Sequence, residues 1–374
     1  MRDLLQRSFH RLASQEKRNG WYKQAPMVIK WMWDRLNPRP YVPPEQFYQA
    51  TSEDIYYCYR LLLKREPTAE EYQQWLDQLN RLQLTLDMLT HEFLHGNEFL
   101  ERQEQLGQPY LVDLGGFKLY VRLDDFFTGA VIAKVHAYEP HVTAQVKRLL
   151  QPGDFFVDIG ANVGHFSMLA AHLVGPEGTV IAFEPLPTNC ELIRLSMAEN
   201  QFDNIRLYPY AVAEQAQIIE MLAEGTQSNA RLAQTDDIGR KGARKWSIEA
   251  VVLDDFLADL PRIDLVKLDI EGAEPRAWQG MKQLIQSHRP YVITEFFPDF
   301  IRRTSQIRPQ SFLEMLQQDE YDLFVLANAE ELPAKANSIA EIMVVYQESG
   351  WSHLDLFGCP REKIMTLPYA LESD

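Results

Sequence analysis

The sequence has little cysteine and no long apolar run. Its three cysteines, Cys58, Cys190 and Cys359, lie far apart and form no CxxC pair. A disulfide framework, a four-cysteine zinc site and an iron–sulfur cluster therefore lack ligands, and the spacing fits a reducing compartment. No apolar stretch approaches the ~20 residues that span a bilayer, and the first residues lack the apolar stretch of a secretory signal. We therefore expect a cytoplasmic protein with no transmembrane segment.

Positive charge is also scarce. The 37 Lys and Arg residues face 53 Asp and Glu residues, which gives a formal net charge of −16. A chain this acidic is a poor ligand for phosphate backbones, so we predict no nucleic-acid partner. Its 374 residues are enough for two or three domains.

The basic residues that exist are concentrated at the start of the chain. Residues 1–40 hold nine Lys and Arg against three acids, together with several aromatic residues. We treat 1–44 as a basic amphipathic arm, because prolines break any helix from residue 38 onward. Two interpretations stay open. The arm is a short helix packed on the rest of the protein, or it contacts an anionic membrane or a partner protein, which would place the protein at the periphery of the inner membrane.

Residues 45–108 read as a helical domain. Thr68 and Glu71 form a T-x-x-E capping box directly after Pro67, which predicts a helix start. The segment resembles a small uncharacterised helical domain of bacteria that often accompanies enzymes acting on surface glycans, so we expect a docking or regulatory use. The resemblance is carried by the stretches 59–67, 75–76, 93–94 and 97–99.

Residues 109–374 alternate between strand-like and helix-like segments, which predicts an open parallel sheet with helices on both faces. Two short strands and a helix lead in. The strands predicted from Gly153 onward are Phe155–Asp158, Thr179–Phe183, Ile205–Pro209, Leu265–Asp269, Tyr291–Glu295, Leu323–Leu326 and Ile342–Tyr346.

The strongest chemical signal is a glycine-rich loop. A strand ends at Asp158, turns through Gly160, Asn162 and Gly164, and enters the helix His165–Val174. Glu184 closes the next strand, where a carboxylate can accept hydrogen bonds from both hydroxyls of a ribose. In an open α/β sheet, ligands bind outside the carboxyl ends of the strands. The pattern therefore predicts a nucleoside site.

The loop sequence D-x-G-x-N-x-G bears on which nucleoside binds. It is not the three-glycine pattern that lets a backbone approach a pyrophosphate, and Asp158 would repel that group. S-adenosylmethionine has an ammonium, a sulfonium and a ribose but no phosphate. We therefore predict S-adenosylmethionine as the cofactor.

Residues of about 138–346 resemble the FkbM family of S-adenosylmethionine-dependent methyltransferases. The matching pieces, in family order, are Tyr138-Glu139-Pro140, Val157 to Gly164, Phe183-Glu184-Pro185, Leu253-Asp254-Asp255, Lys267 to Glu274, and Glu295-Phe296. The resemblance implies a class I methyltransferase fold: a Rossmann-like α/β sheet of seven strands with the last one antiparallel, here behind an N-terminal all-α domain. It also implies methyl transfer to oxygen, commonly to a hydroxyl of a sugar or polyketide.

Residue roles follow from these positions. The predicted cofactor-binding residues are Asp158, Gly160, Asn162 and Gly164 at the methionine end, Glu184 at the ribose, Ala211 against the adenine, and Asp269 beside the sulfonium methyl. Asp269 and Glu271 are the predicted catalytic residues, and Glu295 and Arg231 the predicted substrate contacts. Arg231 belongs to a polar segment, 225–245, that is either a solvated loop or a mobile lid.

Several alternatives accompany these roles. Glu274 is better explained as a helix cap than as a catalytic acid, and the same acids could instead pair with Lys267. His136, His141 and His165 are alternative bases, although a lone histidine is more often structural. Nothing in the spacing demands a metal ion, and we predict none.

Three other functions are alternatives for this sequence. His91-Glu92-Phe93-Leu94-His95 spells the H-E-x-x-H motif of zinc hydrolases, which we interpret as incidental because Phe93 belongs to an apolar helix face. The net negative charge of the chain argues against a methyltransferase that acts on nucleic acid. A non-catalytic S-adenosylmethionine-binding adaptor is the main alternative to an O-methyltransferase that acts on a small-molecule or glycan hydroxyl. The oligomeric state is left open, with a homo-oligomer among the alternatives.

Overall fold

A computed structural model describes residues 49–224, 231–232 and 243–367. The basic arm, 1–44, and most of the polar segment 225–245 lie outside the described residues. Within the described ranges, no helix has both the length and the apolar character needed to cross a membrane. The chain divides into two compact units at residues 102 and 103, a few residues before the predicted boundary at 108.

The first unit is helical, as predicted. Its helices are α1 (Ser52–Cys58), which continues into a π-helical turn (Tyr59–Leu63), α2 (Ala69–Leu82), α3 (Leu86–Leu94) and α4 (Asn97–Leu106), the last of which extends past the division. The capping box is present, because the Glu71 amide donates to Thr68 Oγ1 at 3.2 Å and the Thr68 amide donates to Glu71 Oε2 at 2.7 Å. A small core that includes Ile55, Leu89 and Phe93 holds the helices together.

The second unit contains an eight-stranded sheet flanked by two smaller sheets. Its strands are β1 (Pro109–Asp113), β2 (Lys118–Arg122), β3 (Phe155–Ile159), β4 (Thr179–Phe183), β5 (Ile205–Tyr208), β6 (Ala211–Val212), β7 (Gln217–Glu224), β8 (Arg231–Leu232), β9 (Ala243–Val251), β10 (Leu265–Leu268), β11 (Tyr291–Phe296), β12 (Tyr321–Leu326), β13 (Ala334–Lys335) and β14 (Leu354–Pro360). Its helices are α5 (Gly129–Val135), α6 (Pro140–Leu149), α7 (His165–Val174), α8 (Pro187–Asn200), α9 (Leu253–Phe256), α10 (Glu274–Gly280), α11 (Lys282–His288), α12 (Pro298–Thr304), α13 (Pro309–Gln318) and α14 (Ile339–Ser349).

The order of the large sheet is β13-β12-β14-β11-β10-β3-β4-β5. Strands β5, β4, β3, β10 and β11 are parallel, and β14 runs antiparallel between β11 and β12. Without the short β13, this is the seven-stranded arrangement with an antiparallel last strand that defines the predicted class I methyltransferase fold. Separate apolar cores fill the two faces of the sheet, and Cys58, Cys190 and Cys359 are all buried.

One predicted strand is wrong. Residues 342–346 lie in helix α14, and the last strand of the sheet is β14 instead. The Ser338 side chain accepts a hydrogen bond from the Glu341 amide at the start of α14, and Gly350 ends it in a left-handed conformation. These caps and the buried contact of Ile342 override the strand preference of the apolar, β-branched run.

The loops after β3 and β10 meet closely at the carboxyl edge of the sheet. Gly160 has φ +87°, and a Cβ built on it would lie 1.9 Å from the backbone oxygen of Asp269. The Asp269 amide donates to the Ile159 oxygen at 3.1 Å. Only a residue without a side chain allows this approach, so Gly160 sets the spacing between the two loops.

We therefore expect Gly160→Ala to destabilise the protein by roughly 3 kcal/mol or more, because backbone strain adds to a clash with main-chain atoms. Chemical denaturation would measure the loss. Gly153→Ala is the matched control, since Gly153 has φ +88° but nothing within 4 Å of its added Cβ. It should cost only the strain, about 1 kcal/mol. Equal losses for the two variants would contradict this account.

Candidate functional site

A cavity of about 320 Å³ opens at the carboxyl edge of strands β3, β4, β10 and β11. Strand ends and the loops that follow them supply most of its polar side chains. The predicted site residues that line it are Gly160, Asn162, Glu184, Asp269, Glu271 and Glu295. The structure thus brings together most of the residues that the sequence pattern selected.

The loop after β3 forms the floor of the cavity. The amides of Gly160 and Ala161 both donate to the Phe183 oxygen at 3.0 Å, so the loop is tied to the end of β4. Asn162 follows with φ +52°, a conformation that asparagine tolerates better than most residues. These backbone turns leave the loop open to a ligand on its cavity side.

Glu184 connects that loop to helix α8. Its Oε2 accepts from the Asn162 amide at 2.7 Å, while its Oε1 accepts from the Leu186 amide at 2.9 Å and from Asn189 Nδ2 at 3.2 Å. Burial raises the pKa of Glu184 to about 8, against the lowering effect of these donors. The donors around Glu184 and an added ribose hydroxyl favour its ionised form, which offers about four acceptor positions, so Oε2 retains capacity for that hydroxyl.

A narrow apolar pocket of about 40 Å³ adjoins the cavity and shares Gly160 and Pro185 with it. Phe183, Tyr210 and Ala211 contribute to its lining. Its shape and chemistry suit the flat face of an adenine next to a ribose at Glu184. The residues present therefore fit S-adenosylmethionine, and Ala211 lies in the lining of this pocket.

A buried ion pair between Lys267 and Asp269 forms part of the cavity lining. Lys267 Nζ lies 2.7 Å from Asp269 Oδ2 and 4.7 Å from the centroid of the Phe166 ring. The Lys267 side chain is only 5% exposed, whereas that of Asp269 is 27% exposed. Burial alone would lower the pKa of Lys267, but the carboxylates of Asp269, Glu139 and Asp158 raise it overall. Asp269 is therefore held in place by a permanent cation.

Several residues of the cavity have no role predicted from the sequence. Phe127, Tyr138, Glu139, Lys267 and His353 also line the cavity. The Tyr138-Glu139-Pro140 piece was part of the family motif, so a signal existed for Glu139, whereas nothing in the sequence pointed to Phe127 or His353.

Glu295 faces His353 across the cavity wall, with 3.6 Å between His353 Nδ1 and Glu295 Oε1. Burial raises the pKa of Glu295 well above its usual value, and the nearby carboxylates of Asp269 and Glu271 add to the effect. This shift favours the protonated form of Glu295, which can donate a hydrogen bond to a ligand.

Three predicted site residues remain: Asp158 and Gly164, which line neither pocket, and Arg231. Asp158 is fully buried, accepts a hydrogen bond from Ser167 Oγ at 2.6 Å and lines neither pocket. Gly164 caps helix α7, and a Cβ there would lie 2.8 Å from Ile193 Cγ1, so its role is close packing. The Arg231 backbone lies in β8, and its side chain is outside the described part of the chain.

The three histidines predicted as alternative bases differ in their surroundings. His136 binds the Asp113 oxygen through Nδ1 and does not line the cavity. His141 forms a 2.6 Å pair with Asp355, which raises the pKa of His141 against the opposing effect of burial. His165 lines the cavity, but burial lowers its pKa to about 3.

Glu274 has a structural role, although its side chain binds the preceding loop and makes no helix-capping hydrogen bond. Its Oε1 accepts from the amides of Ile270 at 2.9 Å and Gly272 at 3.1 Å, which ties the loop after β10 to the start of helix α10. The H-E-x-x-H motif lies at the end of α3, where the rings of His91 and His95 stack at 4.0 Å. Among the described residues, no group of three or more His, Cys, Asp or Glu residues is arranged to hold a metal ion.

Residues 158–324 match the family model of the methyltransferase FkbM domain. The match covers less than half of the chain, and over those residues it confirms the resemblance to FkbM methyltransferases drawn from the motifs.

Individual relatives match only part of this chain. It is 30% identical over 165 residues to the 31-O-demethyl-FK506 methyltransferase FkbM of Streptomyces tacrolimicus, which covers 36% of this chain and 61% of that protein. It is 26% identical over 205 residues to the methyltransferase sdnD of Sordaria araneosa, covering 46% of this chain and 74% of the relative. The crystal structure of the methyltransferase FkbM from Methylobacillus flagellatus KT aligns at 15% identity over 94% of this chain and 77% of that one, with a TM-score of 0.36. The chain thus spans about three fifths of the Streptomyces relative.

We expect Glu184→Gln to weaken the binding of S-adenosylhomocysteine by roughly 10- to 100-fold, the size of one charged hydrogen bond. The amide nitrogen of Gln would face one of the N–H donors that now point at the carboxylate. Isothermal titration calorimetry measures the dissociation constant, and a melting curve checks that the variant is folded. Glu177→Gln, on an exposed loop, is the control and should bind like the wild type. Unchanged binding in Glu184→Gln would remove the ribose role.

The free energy of unfolding should fall as pH rises from about 5 to 8. Burial raises the pKa of Glu274 to about 7 in the folded protein, above its unfolded value near 4.3. The folded state therefore holds the proton over this interval, and stability is lost as pH rises through the folded pKa. Urea denaturation at several pH values measures the slope, which should be shallower in Glu274→Gln. An unchanged slope in that variant would show that Glu274 does not titrate in this range.

Proposed function

We propose that this protein is an S-adenosylmethionine-dependent O-methyltransferase whose acceptor is a hydroxyl of a sugar, a glycan or a similar small polyhydroxylated molecule. The observation that carries the proposal is the division of the site into two halves. A narrow apolar pocket suits the adenine, and a wider cavity rich in carboxyl groups lies beyond it.

The cofactor, when bound, supplies an electrophilic methyl group. Glu184 would hold its ribose and the apolar pocket around Ala211 its adenine. The backbone from Gly160 to Asn162 would lie along its methionine end. Asp158 supports that loop from beneath through Ser167 on α7.

The acceptor half of the cavity is equipped to bind hydroxyl groups. Asp269 presents a carboxyl group that its ion pair with Lys267 fixes in place, and such a group orients a hydroxyl by accepting its hydrogen bond. Glu271 lines the same wall with φ +56°, while the raised pKa of Glu295 favours its protonated form, which can donate. Alternating donors and acceptors of this kind match a polyol.

Phe127 lies at the cavity with its side chain 60% exposed. An exposed aromatic face beside carboxyl groups offers the apolar side of a sugar ring a surface to contact, and it excludes water from that side of the acceptor. Orientation and loss of water contribute much of the rate enhancement in a displacement that needs close alignment.

The test is an incubation of the full chain with S-adenosylmethionine labelled in its methyl group and a panel of sugars and other polyols. Mass spectrometry and NMR would then locate the label. We expect label on oxygen, and we expect Asp269→Asn to lower the rate by about 100-fold or more, because the variant loses the charge that orients the hydroxyl. Asp259→Asn, at an exposed position, should retain full activity. Label on nitrogen or carbon, or binding of S-adenosylhomocysteine without transfer to any hydroxyl, would contradict the proposal.

A further inference from the structure

Glu139 stands out among the cavity carboxyl groups. It lies between α5 and α6, directly before Pro140, and its side chain lines the cavity together with Lys267 and Asp269. Its Oε2 atom is buried and has no hydrogen-bond partner among the described residues. An unpartnered buried carboxyl oxygen is costly, so its retention points to a ligand or a reaction.

The groups that face Glu139 come from three elements. Lys267 and Asp269 face it from the end of β10, Asp355 from β14, and Tyr138 precedes it in the chain. His141, on α6, is paired with Asp355 at 2.6 Å. Burial raises the pKa of Glu139 to about 7, with Asp269 and Asp355 adding to the rise and Lys267 opposing it.

We propose that Glu139 is the catalytic residue that accepts the proton of the acceptor hydroxyl, an inference that rests on the methyl transfer proposed above. The hydroxyl oxygen forms a bond to the methyl carbon as the methyl–sulfur bond breaks, and that bonding pair stays on sulfur. The oxygen–hydrogen bond breaks, and its proton moves to a carboxylate oxygen of Glu139. The products are a methyl ether, S-adenosylhomocysteine and protonated Glu139, which returns its proton to solvent.

The other carboxyl groups are less suited to this step. Asp269 is committed to Lys267 at 2.7 Å, and Glu274 is committed to the amides of Ile270 and Gly272. Glu295 Oε2 is also buried without a partner, but burial and neighbouring acids raise the pKa of Glu295 well above its usual value, which disfavours the ionised form that a base requires. Glu139 combines access to the cavity, an unpartnered oxygen and a proton affinity suited to general base catalysis near neutral pH.

The experiment compares the wild type with Glu139→Gln, Glu139→Asp and Glu177→Gln between pH 5.5 and 9, using an acceptor found in the panel. We expect Glu139→Gln to lower kcat by about 100-fold or more, with the dissociation constant for S-adenosylhomocysteine changed by less than about threefold. The kcat/KM of the wild type should rise with pH to a plateau, with a midpoint near 7, and this rise should vanish in Glu139→Gln. Glu139→Asp should restore part of the rate and the rise, and Glu177→Gln should match the wild type.

Two results would overturn the inference alone. Glu139→Gln could keep the rate and the pH dependence while the wild type methylates a hydroxyl. It could also weaken S-adenosylhomocysteine binding tenfold or more with the pH dependence intact, which would make Glu139 a cofactor ligand. Absence of hydroxyl methylation by the wild type would instead overturn the proposed function.

A measurement that needs no acceptor separates these cases. In protein labelled with ¹³C at the glutamate carboxyl groups, we expect an NMR signal that titrates near pH 7 and is missing from Glu139→Gln. A Glu139 signal that titrates near the ordinary value of about 4.3 would overturn the inference whatever the enzyme methylates.

Discussion

The buried ammonium of Lys267 is the interaction on which the cavity depends. Lys267 is paired in register with Asp158 on the neighbouring strand, lies 2.7 Å from Asp269 and lowers the pKa of Glu139 by its charge. Carboxyl groups gathered in a site of low dielectric repel one another and resist ionisation unless a cation compensates them. One fixed cation therefore favours the charged form of the acids next to it, while burial raises the pKa of others, such as Glu295. The polar end of the cavity owes its mixture of donors and acceptors to that balance.

The supporting loops explain why this balance can persist in a folded protein. The loops after β3 and β10 approach so closely at Gly160 that neither can move without the other. Glu184 joins the first loop to α8, and Glu274 joins the second to α10. Each acid is thus part of the backbone scaffold as well as of the site or its surroundings. The two loops that line the cavity are consequently linked by main-chain contacts.

The sequence predicted the features that depend on short stretches of chain. The loop from Asp158 to Gly164 and the acid at Glu184 follow local rules of turns and strand ends, and the structure places them at one edge. The strand predicted over 342–346 is wrong because β-branched composition outweighed the weaker cap signals at Ser338 and Gly350, while β14 contains Gly358 and ends at Pro360, which lowers its apparent strand preference. Glu139 could not be assigned from spacing, since its environment comes from β10 and β14, far away in the chain. Asp158 has the expected position, but its complete burial is set by α7 packing over it.

All three cysteines are buried, so the reactivity of their thiols reports local unfolding. Burial raises the pKa of Cys58 to about 11 and those of Cys190 and Cys359 to about 12, so none offers a reactive thiolate to solvent at neutral pH. One thiol lies in the helical unit and two lie in the sheet unit. Alkylation of each sulfur therefore records the opening of the surrounding core, and the order in which the sulfurs are labelled reveals which part of the polypeptide unfolds first.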